Sequence, residues 1–90
     1  MIRARITIHG DVQGVFFRSQ AQQKALELGV LGWVANESDG TVTVVAEGPK
    51  NKLQELADWC QSGPSRARVD KVEVTFETFT GEFEGFEIRY

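Results

Sequence analysis

The sequence lacks the features that mark secreted and membrane-bound proteins. It contains one cysteine, Cys60, so no disulfide can form within the chain, which fits a reducing compartment. The first ten residues carry no long apolar run, and we therefore predict no signal peptide. No stretch approaches the ~20 apolar residues that span a bilayer. We expect a cytoplasmic protein with no membrane partner.

The sequence also lacks an excess of basic residues. Its 13 acidic side chains outnumber its 10 basic ones, which gives a net charge of −3. Nucleic-acid binders usually carry a basic excess, because contacts with phosphates supply most of their affinity. We therefore predict no nucleic-acid partner. A small anionic ligand remains compatible with this charge, since one local site needs only a few donors.

Groups that carry out covalent or metal chemistry are scarce. His9 is the only histidine, and it falls on the polar face of a predicted strand. Cys60 falls on the apolar stripe of a predicted helix, where a cysteine usually packs in the core. There is no cysteine–histidine pair and no cluster with the spacing of metal ligands. We predict no metal site, no cofactor and no covalent phosphoenzyme.

Apolar periodicity divides the chain into seven elements. Alternation predicts strands over residues 3–9, 30–37, 41–47, 71–79 and 86–90, the last with Phe86, Ile88 and Tyr90 on one face. One apolar stripe predicts a helix over residues 17–28, and Pro49 is predicted at the first position of a second helix. The order is β-α-β-β-α-β with a terminal strand. We predict one α+β domain, residues 1–90, with both helices on one face of an antiparallel sheet.

The segment 10–18, Gly-Asp-Val-Gln-Gly-Val-Phe-Phe-Arg, joins the first strand to the first helix. A helix N-terminus presents unpaired N–H groups and a partial positive charge, so anions bind there. Gly10 and Gly14 allow the backbone to bend and to approach a ligand. Arg18 is unfavourable in a first turn, which suggests that it binds the same anion, although a solvated surface arginine is the alternative. We predict a phosphate-binding loop whose contributing residues are Gln13, Gly14, Val15, Phe16, Phe17 and Arg18.

Chain geometry adds Asn36 to this site. From Arg18 the helix runs about 15 Å to its end, at ~1.5 Å per residue. The next strand returns about 20 Å to Asn36, at ~3.3 Å per residue. Asn36 therefore lies at roughly the level of Arg18, where its uncharged amide could orient a water molecule. The alternative is a turn residue held by Asx-type hydrogen bonds.

The segment 10–18 resembles the first signature of the acylphosphatase family, Gly-x-Val-Gln-Gly-Val-x-Phe-Arg. Residues 32–42 resemble the second, Gly-Trp-Val-x-Asn-x-x-Asp-Gly-x-Val. The resemblance covers essentially the whole chain. It implies a ferredoxin-like sandwich and a metal-independent cytosolic hydrolase of acyl phosphates, in which Arg18 binds the phosphoryl group and Asn36 positions the attacking water.

Two other functions stay open at this point. The same fold could form a non-catalytic module that binds a phosphate-bearing metabolite or a partner protein. It could also form an RNA-binding domain, but the acidic sequence and the lack of a basic-aromatic signature argue against this. We expect a monomer that acts on a small-molecule acyl phosphate.

Overall fold

The computed structural model describes residues 1–90 and contains the seven predicted elements in the predicted order. Their bounds are β1 (Ile2–Asp11), α1 (Phe17–Leu28), β2 (Leu31–Asn36), β3 (Val42–Gly48), α2 (Lys50–Ser62), β4 (Arg68–Glu77) and β5 (Phe86–Arg89). Helix α1 ends where Gly29 adopts a left-handed φ of 73° and donates its N–H back to the last turn. No helix is both long and apolar enough to cross a membrane.

The five strands form one sheet in the order β4-β1-β3-β2-β5. The pairs β1–β4, β1–β3 and β2–β3 are antiparallel, whereas β5 joins the edge of β2 in parallel. The connection 78–85 explains this direction. It crosses the sheet at the end where β4 stops, with Glu77 opposite Arg3, and where β2 starts, with Phe86 opposite Gly32, so β5 runs opposite to β4 and parallel to β2. The sheet is thus antiparallel over four strands and mixed at its β5 edge.

The core lies between the sheet and the two helices. The inward residues of β1 and β3 pair across the sheet, as Ile6 does with Val44, and both are fully buried. Phe17 of α1 packs its ring 5.4 Å from the ring of Trp59 in α2. Cys60 lies in this core, as predicted, and burial raises the pKa of its thiol to about 12. This packing fixes the N-terminus of α1 against the sheet.

The opposite face of the sheet is also covered at β3. Glu47 there is only 2% exposed, because the connection 78–85 folds over it. Its carboxylate accepts hydrogen bonds from Arg3 Nε (2.9 Å), the N–H and hydroxyl of Thr80 (both 2.9 Å) and the N–H of Gly81 (3.0 Å). Burial alone would raise the pKa of Glu47, but these donors outweigh it and lower the pKa to about 2. We call this group the Glu47 clasp.

Candidate active site

The loop between β1 and α1 presents a row of free backbone donors. None of the N–H groups of residues 14–19 donates to a backbone carbonyl, and the first helical bond runs from Gln20 N to Phe16 O. The first turn of α1 contains no acidic side chain that would compensate its positive end. The loop and the helix N-terminus therefore form an electropositive surface with donors suited to an anion.

Two residues of the loop adopt left-handed backbone conformations. Gly14 has a φ of 73°, and a side chain there would meet no atom within 4 Å, so the space beside it is open to a ligand. Phe16 has a φ of 62° and is the one non-glycine residue with a positive φ. Such a conformation costs on the order of 1–3 kcal/mol and occurs most often at functional sites.

Gly10 lies where the backbone of β1 bends beside β4. A β-bulge lies between His9 and Gly10 where β1 pairs with β4. A Cβ on Gly10 would lie 2.1 Å from the carbonyl oxygen of Arg68, and the φ of Gly10 is 133°. Gly10 thus permits the predicted bend of the backbone, and the neighbour that excludes a Cβ is β4. Its hydrogen side chain is required because the backbone of β4 passes so close to it.

Gln13 fastens the loop to the neighbouring β2–β3 turn. Its side-chain amide donates to the carbonyl oxygens of Glu37 (2.8 Å) and Thr41 (2.9 Å). The side chain is therefore engaged away from the anion-binding surface. The two bonds bring the loop next to Asn36, the last residue of β2, and so hold the two parts of the predicted site together.

Arg18, in the first turn of α1, is held by uncharged groups. Its Nη1 donates to the carbonyl oxygen of Arg89 (3.0 Å), and its guanidinium carbon lies 4.7 Å from the centre of the Tyr90 ring. These contacts orient the half-buried side chain without neutralising it. The guanidinium is therefore oriented by two contacts, neither of which is with an acidic side chain.

Asn36 is half-buried at the end of β2, opposite Val42 of β3. The Asx-type hydrogen bonds of the adjacent turn are made by Asp39, which accepts from the N–H (3.0 Å) and hydroxyl (2.7 Å) of Thr41. The Thr41 hydroxyl, and then its N–H, lower the pKa of Asp39. Because Asp39 stabilises the turn, Asn36 is not needed for that task.

A cavity of about 260 Å³, which we call the Arg18 cavity, brings most of the predicted residues together. It is lined by Val12, Gly14, Phe16, Phe17, Arg18, Ser19, Asn36, Ile88 and Tyr90. The predicted residues Gln13 and Val15 do not line it. Sequence reasoning did not assign Val12, Ser19, Ile88 or Tyr90 to the site. The position of Tyr90 depends on the pairing of β5 with β2, and the local sequence pattern does not indicate that pairing.

A larger cavity of about 580 Å³ lies across the sheet, but it lacks the features of an anion site. It contains Arg3, whose charge is already paired with Glu47 and Glu82. Three arginines and three glutamates line it, so its formal charge is balanced. No group of three or more histidine, cysteine, aspartate or glutamate side chains anywhere in the structure is placed to hold a metal ion. We therefore place the candidate active site in the smaller cavity.

Comparisons with known proteins all indicate one family. Residues 4–88 match the family model described as Acylphosphatase. The chain is 51% identical to an acylphosphatase from a Roseiflexus species, over 98% of this chain and 95% of that protein. It is 47% identical to an acylphosphatase from Pelotomaculum thermopropionicum, over 98% and 96% of the two chains. The crystal structure of acylphosphatase from Bacillus subtilis superposes with a TM-score of 0.95 and 37% identity, over the full length of both chains.

Proposed function

The chain belongs to the acylphosphatase family, and on that premise we propose that it hydrolyses acyl phosphates in the Arg18 cavity without a metal ion. The products are a carboxylate and inorganic phosphate. The observation that carries the proposal is that one cavity is lined by Arg18, Asn36 and loop residues whose N–H groups have no backbone partner. Anion binding and water positioning are the two tasks that this hydrolysis requires.

The loop is suited to the phosphoryl group. The backbone N–H groups of residues 14–18 and the guanidinium of Arg18 supply donors for its three equatorial oxygens. Phosphoryl transfer depends mainly on positioning and on stabilising charge at these oxygens. Because the donors are fixed by the fold before substrate arrives, they need little reorganisation as the transition state forms.

Asn36 is the group that we assign to the attacking water. Its amide can accept one hydrogen bond and donate two, so it can orient water without carrying charge. The water oxygen attacks phosphorus, the bond from phosphorus to the acyl oxygen breaks, and the carboxylate leaves with the electron pair. An oxygen of the phosphate takes the proton of the water. A strong general base is less necessary here because the carboxylate is a good leaving group.

We also propose the domain organisation, oligomeric state, location and partners of the enzyme. Residues 1–90 act as one acylphosphatase-like domain, a monomer in the cytoplasm, with a small-molecule substrate and no nucleic-acid partner. The net charge of −3 supports the absence of a nucleic-acid partner, and the single buried cysteine supports a reducing compartment.

Hydrolysis of acetyl phosphate in the presence of EDTA tests the proposed function. We expect steady release of inorganic phosphate that excess EDTA does not slow. Binding of inorganic phosphate without turnover of either acetyl or benzoyl phosphate would instead support a non-catalytic binding module. Loss of all activity on addition of EDTA would contradict the metal-independent mechanism.

A further inference from the structure

Phe16 combines an exposed aromatic side chain with a left-handed backbone conformation, and its place in the loop does not explain this combination. Its side chain is 69% exposed, although its backbone is held in the left-handed conformation at the N-cap of α1. The side chain lines the Arg18 cavity. The acylphosphatase signature leaves this position open, whereas it specifies Phe17 and Arg18. The side chain of Phe16, unlike its backbone N–H, is therefore not required by the shared phosphate chemistry.

The cavity has a polar part and an apolar part. Arg18, Asn36, Ser19 and the backbone at Gly14 supply the polar part. The apolar part is formed by Val12, Phe16, Phe17, Ile88 and Tyr90. Tyr90 is 99% exposed, so two large aromatic side chains of this cavity face solvent. A ligand with a phosphoryl group at one end and an apolar group at the other would cover both parts.

We propose that Phe16, with Tyr90, determines acyl-group specificity and favours acyl phosphates whose acyl group is apolar or aromatic. This inference rests on the proposed function and names the substrate class of the same site. An apolar acyl group gains by removing the exposed rings from water. A charged acyl group loses hydration against the rings, and the one cation that lines the cavity, Arg18, is engaged by the phosphoryl group.

The test compares benzoyl, acetyl and succinyl phosphate, whose acyl groups are aromatic, small and carboxylate-bearing. The three substrates differ in intrinsic reactivity. For each variant we therefore divide the kcat/KM for benzoyl or succinyl phosphate by that for acetyl phosphate, and we compare these ratios between variants. Phe16→Asn removes the ring but retains a residue that tolerates the left-handed conformation. Phe16→Leu retains apolar surface. Leu26→Asn is the matched control, because Leu26 is an exposed apolar residue of α1 and lies outside the cavity.

In Phe16→Asn we expect the benzoyl-to-acetyl ratio to fall roughly tenfold and the succinyl-to-acetyl ratio to rise. Tenfold is the lower end of the effect of one methylene in an apolar pocket. Phe16→Leu should keep most of the preference, and Leu26→Asn should keep all of it. Ratios that stay within twofold of wild type in Phe16→Asn would overturn the inference while leaving the proposed function intact. Failure of the wild-type protein to hydrolyse any of the three would instead refute the proposed function.

Discussion

Replacement of Glu47 by glutamine is expected to destabilise the fold strongly at neutral pH and hardly at all in acid. The wild-type carboxylate is buried on β3 and accepts from Arg3, Thr80 and Gly81. Glutamine has nearly the same shape, but it offers one acceptor oxygen and places its NH₂ group against the remaining donors. The clasp therefore loses both its charge and part of its hydrogen bonding.

The magnitude follows from the pKa of Glu47. The fold lowers this pKa from 4.5 to about 2, and each pKa unit corresponds to about 1.36 kcal/mol. The ionised clasp thus contributes about 3 kcal/mol to the free energy of unfolding. Because the folded pKa is the lower one, this contribution is complete above pH 4.5 and is lost as the pH falls towards 2. Glutamine does not titrate and lacks this pH dependence.

Urea denaturation followed by tryptophan fluorescence measures the difference. We expect Glu47→Gln to be about 3 kcal/mol less stable than wild type at pH 7, and the gap to narrow progressively between pH 4.5 and pH 2. Glu84→Gln is the control, since Glu84 is exposed in the connection that covers Glu47. Equal stability of Glu47→Gln and wild type at pH 7, or a gap that does not change with pH, would refute the reasoning.

Three further substitutions test the loop and the site. Asn36→Ala should lower kcat for acetyl phosphate with little change in KM, because positioning of water matters in the transition state; a rise in KM alone would contradict that role. Gln13→Ala removes two hydrogen bonds, to Glu37 and Thr41, worth about 1 kcal/mol each, and should lower kcat/KM about tenfold by loosening the loop. If kcat/KM and the inhibition constant for inorganic phosphate were both unchanged, the role of Gln13 in holding the loop would be contradicted. Gly10→Ala should cost more than about 2 kcal/mol in urea denaturation, because its Cβ would overlap a backbone oxygen; wild-type stability would show that the bulge can relax.

Much of the fold could be predicted because local signals define it. The bounds of α1 agree with the prediction, since one apolar stripe fills the helix and Gly29 ends it. Strand β4 spans residues 68–77 rather than 71–79, because the bulge at Gly10 lets Arg68 and Val69 continue the pairing with β1. The parallel placement of β5 depends on the path of the preceding connection, which periodicity does not report.

Which candidate residues lie together was predictable where it depends on the lengths of helices and strands, and not where it depends on contacts distant in sequence. The matched lengths of α1 and β2 correctly bring Asn36 and Arg18 to one cavity. The bonds of Gln13 span 24 and 28 residues, and no local pattern indicates them. Alternation predicts Tyr90 on the face of Phe86 and Ile88, and Ile88 and Tyr90 do line the same cavity, although Tyr90 lies beyond the end of β5. Its ring therefore remains exposed and packs against the guanidinium of Arg18.

The claim that Arg18 fixes the phosphoryl group is tested most directly by the kcat/KM of Arg18→Ala for acetyl phosphate. Arg66→Ala is the matched control, because Arg66 is exposed and lies outside the cavity. By analogy with arginine fingers, we expect Arg18→Ala to lose ~10³-fold or more while its far-UV circular dichroism stays that of the wild type. Arg66→Ala should retain wild-type activity. Wild-type kcat/KM in a folded Arg18→Ala protein would contradict the account.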